Sequence, residues 1–498
     1  MGRWNRQSSC HDAVAPPLRA RPRDIDPNQV APVPSHQPVA VKPGLAGLAA
    51  VAALGIALTG ALTGCASDNF SLPKINDLNP FAKKEPPLPG TRVPIMEATG
   101  SIANTLAPAD RPIVLPPQQA NDSWSQPGGT PNNSPGHAAL SAAPKQVWSA
   151  DAGTGSSSSG KVTASPIVYD GRVYTLDANA RVSAFAINGG STLWRTSLVP
   201  DSERKVGSIF TLSSSASGGY GGGLAADNGR LYVATGYGTL SALDPKTGKV
   251  AWSKNQGAPI RAAPTAVGDR VFIITTDGRA MAIAGSDGSE LWTAKGLPEQ
   301  ASLIASPSPA VDGDIVVVPF SSGELLGLKL GTGEQIWNES LTRAKGGSAM
   351  GALSDAARPS LDRGVVFATA HGGRTVALQA RNGERVWTVN LSSTQGPSVT
   401  GDYLYLVDTA GQLLALNRRD GLTLWTTKLP GSNTWSGPTL AGGQLWLVSD
   451  KGALVGVDAA VGRVVTQLSL GGGGFIPPIA AGGRLYVLTD KARLIAFN

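Results

Sequence analysis

One short pattern recurs along the chain from residue 146 to its end, and it is most regular in GRLYVATGYGTLSALDPKTGKVAW, Gly229 to Trp252. Related copies end at Trp194, Trp292, Trp337, Trp387 and Trp425. A further copy, GQLWLVSDKGALVGVDAAVGRVV, has Val465 where the Trp is expected, and the last, GRLYVLTDKARLIAFN, stops at Asn498 before that position. A unit this short cannot bury its apolar residues alone. Its copies must stack on one another, which confines the fold to a solenoid, an array or a propeller.

Within a copy, LYVAT reads as a strand, followed by a tight turn, a strand such as TLSALD, a Gly-containing turn such as PKTGK, and a short strand ending in Trp. A further strand precedes each unit, as in ASPIVYDG, SPSPAVDG and SGPTLAGG, so the repeat has four strands. Successive Trp residues from Trp252 to Trp425 are 40, 45, 50 and 38 residues apart, matching the roughly 40 to 50 residues of a propeller blade. The last copy lacks a fourth strand, but VWSADAG at 147–153 is an orphan fourth strand with Trp148 in place. The expected fold is all-β: an eight-bladed β-propeller of four-stranded antiparallel blades, the last closed by the N-terminal strand, which covers an otherwise open edge.

Composition agrees. The 62 Gly and 37 Pro, with only 15% charged residues, exclude a helical bundle or coiled coil. Trp148, Trp194, Trp252, Trp292, Trp337, Trp387 and Trp425 are expected to pack between neighbouring blades as structural residues, and Asp244 and Gly248 to serve turn geometry. Of the net charge of +7, residues 1–64 contribute +3, and the Lys and Arg of the remainder are scattered, which gives no footprint for a nucleic-acid backbone.

The N-terminal part is different. From Gly44 an uncharged run, GLAGLAAVAALGIALTGALTG, ends in Leu62, Thr63, Gly64 and Cys65. It resembles the lipobox of bacterial lipoproteins, which implies diacylation at Cys65, removal of residues 1–64 and acylation of the new amino terminus. Ala66 rather than Asp follows the cysteine, which by the same resemblance implies delivery to the outer membrane, facing the periplasm. Residues 1–40 are rich in Arg and Pro without apolar periodicity, as in a disordered segment. A translation start near Val39 or Val41 explains them, and a precursor beginning at Met1 in mass spectrometry would contradict that. Residues 65–121 read as a flexible tether able to span roughly 40 Å, and 122–498 as the propeller domain, with blades from about 146.

Chemistry of catalysis is sparse. His11, His36, His137 and His371 form no pair at metal-ligand spacing, so neither a zinc site nor a Ser-His-Asp triad is indicated. The Gly runs at 218–223 and 471–474 lack the Lys and Ser/Thr of a phosphate loop. No catalytic residue, metal or cofactor is expected.

The repeat ALD-PKTGKVAW resembles the tryptophan-docking repeat of quinoprotein dehydrogenases, as do Trp124, Gly128, Gly129 and Asn132 in SWSQPGGTPNN. That resemblance implies a periplasmic dehydrogenase using pyrroloquinoline quinone with calcium, an active-site Asp and in many cases adjacent cysteines. The minimal blades without cysteine depart from it. Lipobox, tether and eight short blades together resemble the BamB-type lipoproteins of the outer-membrane barrel assembly machinery, over residues 62–498. This second resemblance implies a non-catalytic, monomeric scaffold that binds the periplasmic domains of BamA, joins the other BAM subunits and assists unfolded outer-membrane proteins. It places the BamA-binding surface on the connections at about 297–306 and 342–357, hence on Leu303, Ile304, Arg343, Met350, Leu353 and Asp355. The earlier connection lacks the Arg usual in that family. A propeller that binds polysaccharide through an exposed aromatic platform is a third reading, for which Trp435 and Trp446 are the residues to locate.

Overall fold

The computed structural model describes residues 113–158, 160–204, 219, 221–297, 307–342 and 356–498. Cys65 and the six candidate partner-binding residues lie outside them. Eight four-stranded antiparallel sheets succeed one another in chain order: blade 1 (167–197), blade 2 (222–255), blade 3 (265–295), blade 4 (310–340), blade 5 (360–389), blade 6 (398–428), blade 7 (439–469) and blade 8. Blade 8 combines Ile479–Ala481, Arg484–Leu488 and Arg493–Phe497 with Gln146–Asp151, whose Trp148 stands opposite Ala496. Among the described residues the one helical turn is Asp201–Arg204.

The strand sequences follow from this stacking. A second or third strand is covered on both faces by neighbouring blades, so Arg230–Thr235 and Thr239–Leu243 are buried almost throughout and read as continuous apolar runs. The fourth strand, Val250–Asn255, lies on the circumference and is mostly exposed. The apolar core is therefore divided into layers between blades: Tyr232 and Ala234 of blade 2 share one cluster with Val271 and Ile273 of blade 3.

A clasp links one blade to the next at seven junctions. The indole N–H of Trp148, Trp194, Trp252, Trp292, Trp337, Trp387 and Trp425 donates to a carbonyl of the following blade: Ile187, Pro245, Gly285, Leu330, Ala380, Arg418 and Ala459, at 2.7–3.2 Å. The acceptor lies at or beside the start of that blade's third-to-fourth-strand turn, and the ring rests on the turn's glycine. At Gly248, φ is +71° and a Cβ would stand 2.4 Å from the Trp194 ring, so both conformation and contact require glycine. Room for the ring is made in the Trp's own blade by a small residue opposite it, such as Ala242 opposite Trp252 or Gly327 opposite Trp337. In that turn Asp244 accepts the backbone N–H groups of Lys246 and Thr247 at 2.7 and 3.0 Å. These bonds, Thr247's first, hold its carboxyl below the usual range.

Blade 7 corrects the sequence alignment by one residue. Gly456 pairs with Thr466 as Ala415 pairs with Trp425, so Thr466, not Val465, occupies the Trp position. The missing indole has a physical reason. Blade 8 has no third-to-fourth-strand turn, because those two strands come from distant parts of the chain, and a Trp at 466 would have nothing to clasp. The space in blade 7 is filled from the second strand by Trp446, fully buried, with its indole N–H on the Ala441 carbonyl.

Ahead of the blades, residues 113–145 cross one end of the ring. Composition groups residues 113–121 with the tether, but they lie against the propeller: Val114 N–H donates to Tyr403 Oη at 2.9 Å, and Gln119 N–H to the His137 carbonyl at 2.8 Å. Ile113 and Leu115 also pack against the apolar cluster of blades 6 and 7, a contact too short for composition to register.

Candidate functional site

In an antiparallel four-stranded blade, the first-to-second and third-to-fourth turns share one face, and the second-to-third turns share the other with the connections between blades. The connections 298–306 and 343–355 therefore leave and re-enter the same face, on either side of blade 4. Long connections on a rigid scaffold are where binding surfaces concentrate. The structure shows how their ends are held.

One turn of blade 4 fixes three of the four ends. Leu297 N–H donates to Glu324 Oε2 at 2.9 Å, Leu341 N–H to the Gly323 carbonyl at 2.9 Å, and Ala356 N–H to the Phe320 carbonyl at 3.3 Å. Phe320, Glu324, Leu341 and Ala356 are buried, whereas Leu297 is 59% exposed, an apolar side chain at the rim of the first connection. The second connection is pinned again to blade 5, where Thr342 bridges Gly373, Ala356 bridges Ala370, and Arg374 Nη2 donates to the Thr342 carbonyl at 3.1 Å. Sequence reasoning passed over Glu324. Its signal is a carboxylate opening an otherwise apolar strand, Glu324–Lys329, directly after a Gly turn.

The same neighbourhood is braced sideways. Buried Glu339 on the fourth strand of blade 4 takes a bidentate pair from Arg385 of blade 5, at 2.5 and 2.8 Å, which raises the Arg385 pKa further. Arg358, at the exit of the second connection, has no carboxylate at ion-pair distance among the described residues, and burial pushes its guanidinium down to about 10. The anchored stems and the exposed apolar side chain of Leu297 at their rim form a rigid edge on which a protein surface can be seated. Leu303, Ile304, Arg343, Met350, Leu353 and Asp355 belong to the connections these stems carry and lie outside the described residues.

Among the described residues no three His, Cys, Asp or Glu side chains gather at a metal-binding distance. His137 has a structural place instead: its Nδ1 lies 2.8 Å from the Pro116 carbonyl and its Nε2 accepts the Gly443 N–H at 2.8 Å. Trp435 and Trp446 are both buried and form no exposed platform.

These features define a tryptophan-docking β-propeller that presents paired connections from a rigid face. The family described as outer membrane protein assembly factor BamB matches residues 178–427 and 415–498. The chain belongs to that family. It is 27% identical to the outer membrane protein assembly factor BamB of Yersinia pestis over 67% of this chain and 83% of that protein. It spans 41% of the length of an uncharacterized Rickettsia prowazekii protein that is 30% identical over 36% of this chain. Among solved structures, BamB from Moraxella catarrhalis superposes with a TM-score of 0.59 at 19% identity, covering 71% of this chain and 99% of that one. Quinohemoprotein alcohol dehydrogenase ADHIIG from Pseudomonas putida HK5 gives 0.61 at 15% identity, covering 76% and 80%. At such identities the superpositions establish the fold alone.

Proposed function

We propose that this chain is a non-catalytic scaffold of outer-membrane protein assembly, anchored through lipid on Cys65 to the periplasmic face of the outer membrane. Its partners are the periplasmic domains of BamA and the other BAM subunits, and through them unfolded outer-membrane proteins. The binding surface is formed by the connections around blade 4, with Leu303, Ile304, Arg343, Met350, Leu353 and Asp355 as contact residues. The observation that supports this reading is the shared anchorage on the 320–324 turn, which holds one end of the first connection and both ends of the second on one blade. Family membership supports it, since the Yersinia pestis relative is named for outer membrane protein assembly.

The test is affinity purification of the tagged full-length protein from detergent-solubilised native envelopes, with mass spectrometry of co-purifying proteins. BamA is expected to co-purify and to be lost when Leu353 and Asp355 are changed together to Ala. The resemblance of the repeat ALD-PKTGKVAW to the tryptophan-docking repeat of quinoprotein dehydrogenases supports a second reading, a quinone-dependent dehydrogenase. Quinone absorbance in the purified protein and calcium-dependent dye reduction would establish that reading and displace the scaffold.

A further inference from the structure

The first strand of each blade faces the ring axis, and its inner edge has no neighbouring strand to pair with. Residues 121–138 supply what is missing, one blade at a time. Trp124 exchanges two backbone bonds with Val168 of blade 1, and the Ser125 carbonyl accepts from Ala226 of blade 2. The Gln126 side chain bonds both backbone groups of Ala266 in blade 3. The Pro131 and Asn132 carbonyls accept from Val311 of blade 4 and Leu361 of blade 5. Ser134 donates to the Val399 carbonyl of blade 6, Ala138 to that of Leu440 in blade 7, and the Asn121 side chain to that of Ala480 in blade 8. The contacted residue is at the same register position in every blade, next to the first-to-second-strand turn. The SWSQPGGTPNN motif is thus part of a strap that circles the channel on the face opposite the blade 4 connections.

The strap is not uniform. Blades 1 to 6 receive between one and three bonds each, and each of them also grips its successor through a Trp clasp. The junction from blade 7 to blade 8 has no clasp, and there the strap adds contacts. Gly442 N–H donates to the Ala138 carbonyl, Gly443 N–H to His137 Nε2, and Gln444 Nε2 to the Ala142 carbonyl on blade 7, while Gly482 N–H of blade 8 donates to the Asn121 carbonyl. Leu140 and Trp124 enter one apolar cluster with Trp446 of blade 7 and Ile479 and Tyr486 of blade 8. The incoming chain is bound to this same place. Gln119 N–H donates to the His137 carbonyl, Ala139 N–H to that of Gln119, Leu140 N–H to Gln118 Oε1, and the Pro116 carbonyl meets His137 Nδ1.

We propose that residues 113–142 are a latch on the seam between blades 7 and 8, and that the ring opens at this seam when the latch is displaced. A pull on the chain ahead of residue 113 meets first the contacts of Ile113, Val114 and Leu115 with blades 6 and 7, and next the 116–119 and 137–140 pairing, which sits on the turn of blade 7 that borders the seam. The device couples tension on the N-terminal chain to opening of one defined junction, while the clasped face carrying the blade 4 connections stays closed.

Hydrogen exchange read by mass spectrometry on the full chain tests this. In the unaltered protein, amides of 444–448 and 484–488 are expected to exchange at least roughly tenfold faster than those of 270–274 and 315–319, which lie in clasped blades. Equal or greater protection at the seam overturns the proposal. Changing His137 to Leu and Asn121 to Ala together is expected to speed exchange at 444–448 and 484–488 by a further factor of roughly ten, with blades 3 and 4 unchanged. A comparable rise in all eight blades would show the strap to be a general brace rather than a latch and would overturn it equally.

Discussion

The junction between blades 4 and 5 and the seam between blades 7 and 8 occupy equivalent places in one ring and are built in different ways. The first has the Trp337 clasp, the Glu339–Arg385 pair and the anchored stems of the second connection. The second has Thr466 in place of the clasp, and a strap from outside the repeats bonds to both of its blades. A repeat fold makes every junction alike by default. The two departures therefore mark where bracing is added beside the anchored connections and where blade 8, built from separate chain segments, offers its neighbour no turn to clasp.

Removing the clasp at the rigid junction is expected to have the largest effect. Trp337→Ala deletes a buried ring and its hydrogen bond and should lower unfolding stability by about 3–5 kcal/mol, read from denaturant titration. A loss under about 1 kcal/mol would mean the clasp is not what holds the blades together. Glu339→Ala leaves Arg385 without its partner at the rim and is expected to cost about 1 kcal/mol, with blade 5 amides exchanging faster than those of blade 3.

The seam gives smaller effects of the opposite kind. Burial, with Asp450 of blade 7 adding repulsion and Lys161 opposing it, raises the pKa of Asp490 in blade 8. A carboxyl raised in the folded state is more easily ionised in the unfolded chain, so its contribution to stability is present below the unfolded value and is lost as pH rises through the folded value. Asp490→Asn should therefore raise the melting temperature slightly at neutral pH and flatten that part of the pH profile; no change in slope between acidic and neutral pH would contradict this. Thr466→Trp is expected to yield no stabilisation, since no turn awaits the indole. A gain comparable with the loss at Trp337 would remove the distinction between the two junctions.

Most of the ring was legible in the sequence because its signals are covalently local and repeated. Trp at the end of a fourth strand and Gly before it recur at blade spacing, and VWSADAG identified itself as the missing strand by the same token. The misplacement of the blade 7 position by one residue shows the limit: GRVV offers no Trp to count from, and Thr466 is identified only by its pairing with Gly456. The strap was illegible for a different reason. Residues 121–138 meet each blade through one residue or two, mostly by backbone bonds, so they carry neither period 2 nor period 3.6. The anchorage of the candidate site on 320–324 joins residues distant in sequence through carbonyls and one carboxylate, and only Glu324 left a trace of it in residue type.

The most direct test of the functional account compares co-purification of BamA from native envelopes with three full-length proteins: the unaltered chain, Leu353→Ala with Asp355→Ala, and the seam variant His137→Leu with Asn121→Ala. Retention of BamA by the first and third and its loss from the second is the expected result. Retention by the second at the level of the unaltered chain would contradict the placement of the binding surface on the blade 4 connections, and absence of BamA from all three would contradict the scaffold itself.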